Sequence, residues 1–205
     1  MAKIESSFKN MTIVLSLITG IAAIALGFVY KLTLDPIAQV KVKELQSSIN
    51  LVVPGADKGT INEFAVMPDD GNDSLYFYEI MINNQRQATA VLSYTDRGFS
   101  GRFTIMVGFD LEGNIIDNNI LEHKETPGLG DKASKSKSNW NEQFKGLNLS
   151  ETNLDVDQNV DAITAATITS RAYCDALERA HRAYVKHYSN EQNSANDAEQ
   201  NIEEE

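Results

Sequence analysis

The chain has 205 residues, a formal net charge of −11 and one cysteine, Cys174. The excess of acidic residues argues against nucleic acid as a partner, because phosphate backbones are bound by clustered Lys and Arg side chains. A single cysteine excludes an intrachain disulfide and a cysteine-held zinc or iron–sulfur centre. The helical pattern around Cys174 favours a buried structural thiol over a catalytic one.

Residues 11–30 contain no charged side chain and lie between Lys9 and Lys31. Twenty residues of helix rise about 30 Å, which is enough to cross the hydrocarbon core of a bilayer. A cleavable signal peptide is the alternative, since Ala23-Ile24-Ala25 has the small-x-small pattern of a cleavage site. The apolar run continues beyond that point, which favours an uncleaved anchor within residues 1–33, in contact with membrane lipid. Lysines flank both ends of the span, so charge does not decide which side the remaining chain occupies.

The chain after the span combines helix and strand patterns. Asp35-Pro36 is typical of a helix start, and the apolar rhythm after it predicts a helix that ends near Pro54-Gly55. Runs of β-branched and aromatic residues then predict four strands, at residues 75–82, 88–94, 102–109 and 115–122. The breaks between these runs, at Asn83-Asn84, residues 96–101 and Glu112-Gly113, predict two hairpins of an antiparallel sheet.

The last third of the chain predicts a loop and two helices. The segment HKETPGLGDKA, residues 123–133, is rich in Pro and Gly, which oppose both helix and strand. Trp140, Phe144 and Leu147 recur at helical spacing and predict a helix laid on the sheet, with the aromatic pair in the core. A final helix is predicted over residues 169–187, with Thr169 or Ser170 as its N-cap. Together these elements predict an α+β domain over residues 34–188, followed by an acidic, disordered tail over residues 189–205.

The segment DAITAATITS, residues 161–170, has the features of a phosphate-binding helix start. Small residues at 164–167 let another group approach the backbone, and a helix N-terminus offers unpaired N–H groups and the positive end of the helix dipole. An anion bound at or near Thr167 would be stabilised there. A tight strand-to-helix connection without any ligand accounts for the same residues. If this segment and the loop at residues 123–132 meet, they form one pocket.

The segments HKETPGLG at 123–130 and DAITAATITSR at 161–171, together with the single N-terminal span, resemble the G-subunit family of the Rnf complex, a membrane-bound ion-translocating ferredoxin:NAD oxidoreductase. The related C subunit of the sodium-translocating quinone reductase shares the same FMN-binding domain. The resemblance implies FMN held covalently on Thr167 by a phosphoester bond that a flavin transferase installs. Asp161 and Thr164 occupy their expected places in the motif. Ala165 stands where the family usually has glycine, and a positive φ there would cost about 1 to 2 kcal/mol.

The resemblance also implies how the flavin is surrounded. The ring would lie near the loop at residues 125–130, with Leu129 over one ring face. The implied cofactor-binding residues, besides Thr167, are Glu125, Thr126, Gly128, Leu129, Gly130, Lys132, Asp161, Thr164, Ala165 and Ala166. The implied role is a non-autonomous redox subunit that relays electrons between other membrane and redox subunits, with its domain on the extracytoplasmic side of the bacterial inner membrane.

No residue is predicted to act as a catalytic acid, nucleophile or metal ligand. His123, His181 and His187 are too scattered in the sequence to indicate a metal site. Two alternatives remain open at this point. One is the corresponding FMN-carrying subunit of the quinone-reducing complex. The other is a membrane-anchored binding module without a cofactor, which explains the span and the tail but leaves both loops without a role.

Overall fold

The computed structural model describes the backbone of residues 8–203 and the side chains of residues 8–189. The chain divides into two units, Met1–Glu44 and Leu45–Glu205. The second unit begins later in the chain than the predicted domain start at residue 34. Residues 1–7, which include Lys3, lie outside the described residues. The predicted disordered tail falls almost entirely beyond the described side chains, so it remains a prediction.

The first element is a single helix, α1, which spans Phe8–Val52. It includes the predicted span and the predicted second helix, so the helix start predicted at Asp35-Pro36 is wrong: the helix continues through Pro36. A proline inside a helix removes one backbone hydrogen bond, and the helix continues for more than four turns on either side of it. The length and composition of the helix are sufficient to cross a membrane. A signal sequence near the N-terminus would have the same two properties. Its apolar side chains up to Val42 are exposed.

Five strands follow in an antiparallel sheet whose spatial order is the chain order. They are β1 (Thr60–Val66), β2 (Leu75–Ile82), β3 (Gln85–Thr95), β4 (Phe103–Phe109) and β5 (Ile115–Glu122). The four predicted strands are therefore confirmed, and the two predicted hairpins join because β3 pairs with β4. Asn83 and Asn84 both have positive φ, as a tight hairpin turn requires. The sequence did not predict β1, an edge strand that is mostly exposed.

The C-terminal helix, α2, spans Thr167–Glu203. It starts two residues before the predicted position and extends past residue 187, where the sequence predicted its end. Thr169 and Ser170 therefore lie inside its first turn and are not its N-cap. The buried side chains of α2 include the small residues Ala172, Ala176 and Ala180, all fully buried.

Each face of the sheet has its own apolar core. On one face, Phe77, Val91, Ile105 and Val107 form a cluster with α2. On the other, residues that include Tyr78, Ile80, Ala90 and Met106 pack with Ile49, Val52 and Val53 at the end of α1. The sheet therefore lies between two helical layers, which confirms the predicted α+β class.

The segment between β5 and α2 contains two short 3₁₀ helices, Gly130–Ala133 and Trp140–Phe144. The longer helix predicted around Trp140, Phe144 and Leu147 is wrong, because the polar residues before it and Gly146, with φ 75°, limit the helix to one turn. The predicted core role of the aromatic pair is confirmed for Phe144, which is fully buried. Trp140 is partly buried, and the rings of Trp140 and Phe144 lie 5.2 and 5.6 Å from that of Tyr173 in α2.

The end of α1 lies so close to β4 that a substitution at Gly108 should destabilise the protein. A Cβ atom added at Gly108 in β4 would lie 2.3 Å from the carbonyl oxygen of Val52. Gly108→Ala should push the end of α1 from the sheet and lower stability by about 1 to 3 kcal/mol, which is the usual range for overpacking. Thermal unfolding of the full chain in detergent measures this. Gly27→Ala is the control, because nothing lies within 4 Å of a Cβ at that position. An unchanged melting temperature for Gly108→Ala would show that the helix end is not held there.

Candidate functional site

Three segments that are distant in sequence enclose one cavity of about 350 Å³. One is the loop after β5, the second is the start of α2 with the residues before it, and the third is the turn between β3 and β4. The two loops singled out in the sequence therefore meet. The lining residues are Phe99, Glu125, Thr126, Leu129, Gly130, Ala165, Ala166, Thr167, Ile168 and Thr169.

The side chain of Glu125 holds these three segments together. One carboxylate oxygen accepts a hydrogen bond from the backbone N–H of Ser100 at 3.0 Å. The other accepts from the hydroxyl of Thr169 at 2.7 Å. Glu125 is only 5% exposed, and a buried polar group that lacks partners destabilises a fold, so both contacts are needed. The carboxylate thus fixes the turn and the helix start relative to the loop.

Two glycines leave room for this carboxylate. A Cβ at Gly130 would lie 2.6 Å from one Glu125 oxygen and 2.8 Å from the Thr169 hydroxyl. A Cβ at Gly98 would lie 2.9 Å from the other Glu125 oxygen and 2.3 Å from the carbonyl of Gly101. Any side chain at either position would displace the Glu125 contacts, so glycine is required at both by close approach.

The first turn of α2 points its backbone amides toward the cavity end of the helix. The N–H of Ser170 donates to the carbonyl of Ala166, the residue before the helix, at 3.0 Å and so forms the first i→i−4 bond of the helix start. The amides of residues 167–169 precede that of Ser170 and are the groups that a helix leaves without intrahelical partners. The hydroxyl of Ser170 accepts from the N–H of Ile163 at 2.9 Å, which ties the incoming chain to this turn.

Three threonines near the helix start differ in their surroundings. Thr169 is 1% exposed and its hydroxyl is used by Glu125. Thr164 is exposed and does not line the cavity. Thr167 is partly exposed, lines the cavity and is the first residue of α2. Of the three hydroxyls, that of Thr167 is the one available to a group inside the cavity.

Ala165 has φ 62°, in the left-handed region that favours glycine. The strain that a positive φ would impose on alanine at this position is therefore present. Ala165 is exposed, and the strain comes from the contact of its Cβ with its own backbone. The neighbouring contacts of Ala166 and Ser170 hold the chain in this conformation.

The mouth of the cavity is apolar and faces solvent. Phe99, Ile168 and Leu129 are 66%, 52% and 40% exposed, although each is a large hydrophobic residue. Exposed apolar groups gathered at one cavity are a feature of ligand sites. Leu129 was singled out in the sequence, but Phe99 and Ile168 were not. An aromatic residue between Gly98 and Gly101 in a turn was the available signal for Phe99, while Ile168 has the pattern of an ordinary helix residue.

Four of the residues implied by the resemblance do not line the cavity. Gly128 is exposed with φ 79° and shapes the loop. The backbone carbonyl of Lys132 accepts from Ser138 at 2.6 Å. Asp161 is held through its backbone by Gln143, whose side-chain oxygen accepts from the Asp161 N–H at 2.9 Å. Thr164, the fourth, lies in the exposed turn before α2.

The other reactive groups are placed away from the cavity. Burial raises the pKa of the Cys174 thiol to about 12, so the thiol stays protonated and fits its predicted structural role. Burial, assisted by Arg182, lowers the pKa of His181 below its ordinary value. Within the described part of the chain, no group of three His, Cys, Asp or Glu side chains could hold a metal ion.

Comparison with known proteins gives the family. Residues 98–182, which contain the whole cavity lining, match the FMN-binding domain family. The G subunit of the ion-translocating oxidoreductase complex of Aliivibrio fischeri strain ES114 is 31% identical over 194 residues, which are 89% of this chain and 92% of that protein. The chain belongs to this G-subunit family. Its members from Vibrio cholerae strain M66-2 and Shewanella piezotolerans are each 30% identical, over 88% and 83% of this chain and 90% and 84% of their own lengths.

The cavity fits the cofactor that the domain family binds. A volume of about 350 Å³ lies within the range of small-molecule sites. The apolar side chains at the mouth suit a flat aromatic ring, and the first amides of α2 suit a phosphate. The hydroxyl of Thr167 lies at the same end of the cavity as those amides. FMN carries both a ring and a phosphate, so the residues present match its chemistry.

The strained backbone at Ala165 predicts a stabilising substitution. Ala165→Gly removes a strain of about 1 to 2 kcal/mol, of which roughly 0.5 to 1 kcal/mol is offset by the greater freedom of glycine in the unfolded chain. The melting temperature of the unmodified protein should therefore rise by a few degrees. Ala162→Gly, at a position without positive φ, is the matched control and should lower it. Equal losses in both variants would mean that Ala165 is not strained.

Proposed function

We propose that the domain holds FMN in this cavity, attached through a phosphoester bond to Thr167, and relays electrons within an ion-translocating oxidoreductase complex. The observation that carries the proposal is the meeting of both loops at one cavity, where Thr167 is the available hydroxyl among the threonines of the helix start. The FMN-binding domain match and the G-subunit relatives support the cofactor class and the complex.

The phosphate end of the cavity is built from α2. A phosphodiester on Thr167 keeps one negative charge next to the free amides and the positive dipole end of the helix. Arg171 lies at the i+4 position from Thr167, and its guanidinium forms an exposed ion pair with Asp157 at 3.8 Å. The amides and the helix dipole would stabilise an anion at Thr167.

The ring end of the cavity is built from the loop after β5 and from the rim. Leu129, Phe99 and Ile168 provide apolar surface for a flavin ring, and Thr126 and Gly130 bring backbone groups alongside. When bound, the flavin supplies the electron-accepting and electron-donating chemistry, while the protein orients it and tunes its potential. The chain's own side chains need no acid, base or nucleophile toward a substrate.

The long apolar helix indicates a membrane-anchored protein. In the proposed arrangement the anchor lies in the bacterial inner membrane and the FMN domain on its extracytoplasmic side. The partners are the other membrane and redox subunits of an Rnf-type complex, and a flavin transferase that installs FMN. The exposed mouth of the cavity leaves the cofactor accessible both to that transferase and to electron partners.

Covalent attachment is tested by expressing the full chain with a flavin transferase and viewing a denaturing gel under ultraviolet light. The wild-type band should fluoresce, because a phosphoester survives denaturation, and Thr167→Ala should abolish the signal. A known substrate of the same transferase serves as the positive control. If that protein fluoresces and the wild-type band does not, the proposal is contradicted.

The neighbouring hydroxyls provide the matched controls for this experiment. Thr164→Ala removes an exposed hydroxyl outside the cavity and should retain fluorescence. Thr169→Val removes the hydroxyl that Glu125 uses and should retain at least part of it. Fluorescence in Thr167→Ala together with its loss in Thr169→Val would move the attachment to Thr169.

A further inference from the structure

Glu125 carries a charge that the fold alone does not require. Its two contacts, with the Ser100 amide and the Thr169 hydroxyl, could both be made by glutamine. The glutamine oxygen would face the Ser100 N–H, and its NH₂ group would donate to the Thr169 hydroxyl, which can also accept. A neutral amide of the same shape would avoid the free energy lost when a charge is buried.

The Glu125 carboxylate has no cation beside it among the described side chains. No lysine, arginine or histidine nitrogen of that part of the chain lies within 4 Å of its oxygens. The buried carboxylate of Asp117 differs in this respect, because Lys135 and Lys145 both pair with it. Glu125 therefore places an uncompensated negative charge at the wall of the cavity, where low exposure to water strengthens its field.

We infer that Glu125 sets the midpoint potential of the bound flavin and holds it low. This inference rests on the proposed function. Reduction adds negative charge to the flavin, and a fixed negative charge beside it makes that addition less favourable. Since both Glu125 oxygens already accept hydrogen bonds inside the protein, the carboxylate acts on the flavin through its field while its position stays fixed.

The test is spectroelectrochemical titration of the full-length protein, loaded by the flavin transferase and held in detergent at pH 8. Glu125→Gln should make the flavin midpoint potential more positive than in the wild type. Glu122→Gln is the matched control, because it makes the same charge change at an exposed residue that does not line the cavity, and it should leave the potential unchanged.

The Thr169→Val variant distinguishes the effect of the Glu125 charge on the potential from the effect of altered packing. It removes the hydroxyl donor and leaves the carboxylate, so the less shielded charge should make the potential more negative than in the wild type. General damage to the pocket would shift the Glu125→Gln and Thr169→Val potentials in the same direction, and that result would overturn the inference. The melting temperatures of the unloaded proteins show how much each variant loosens the fold, separately from its effect on the flavin.

The outcomes distinguish this inference from the proposed function. A wild-type protein that takes up no flavin contradicts the proposed function itself. A loaded Glu125→Gln whose potential equals that of wild type overturns the inference and leaves the FMN site standing. If Glu125→Gln cannot be loaded, Thr169→Val still decides: a more negative potential supports the inference, and an unchanged or more positive one overturns it.

Discussion

The buried carboxylate of Glu125 is the contact on which the cavity depends. Its partners, Ser100 and Thr169, lie 25 and 44 residues away in the sequence. Neither residues 123–129 of the loop after β5 nor the β3–β4 turn at residues 96–102 belongs to a helix or strand, so long-range hydrogen bonds help to fix both segments. Glycine at positions 98 and 130 lets the three segments approach the carboxylate closely. The cavity wall is therefore determined by one side chain and the space left for it.

The helix α2 forms the end of that cavity at which the phosphate is proposed to lie. Its small residues Ala172, Ala176 and Ala180 let the helix lie close to the sheet, and the hydroxyl of Ser93 in β3 donates to the Ala176 carbonyl at 2.8 Å. The hydroxyl of Tyr173 donates to buried Asn118 in β5, also at 2.8 Å. Because a helix is stiff, these core contacts two and three turns along also fix where its first residue, Thr167, lies. The position of the proposed attachment site thus follows from the packing of the core.

The sequence predicted the elements whose pattern is strong and local. Strands β2 to β5 are dense in β-branched and aromatic residues and are separated by turn residues such as Asn83-Asn84, so both their existence and their order could be inferred. Strand β1 could not, because as an exposed edge it mixes Asn62 and Glu63 with its apolar residues. The continuous α1 helix was missed because Asp35-Pro36 has the local signature of a helix start, and only the wider apolar context overrides it.

The same distinction applies to the site. The two loops could be identified from the sequence because they are rich in Pro, Gly and other small residues. The contacts between them could not, since nothing local links Glu125 to Ser100 or Thr169. Exposure is likewise a property of the folded surface, so Phe99 and Ile168 could be recognised as the rim only once the chain was folded.

The two ends of the cavity wall have opposite physical character, and the proposed redox site would use both. The rim leaves Phe99 and Ile168 in water, an arrangement that contributes nothing to the stability of the isolated domain. The inner wall keeps the Glu125 carboxylate away from water with no cation beside it among the described side chains. Each arrangement is unfavourable for folding alone. In the proposed function a flat, reducible ring would lie between them, the rim would cover part of it, and the carboxylate would act on its potential. The exposed rim, the buried charge and the strained backbone of Ala165 all lie at one cavity. Such unfavourable features are expected where a region is adapted to a ligand.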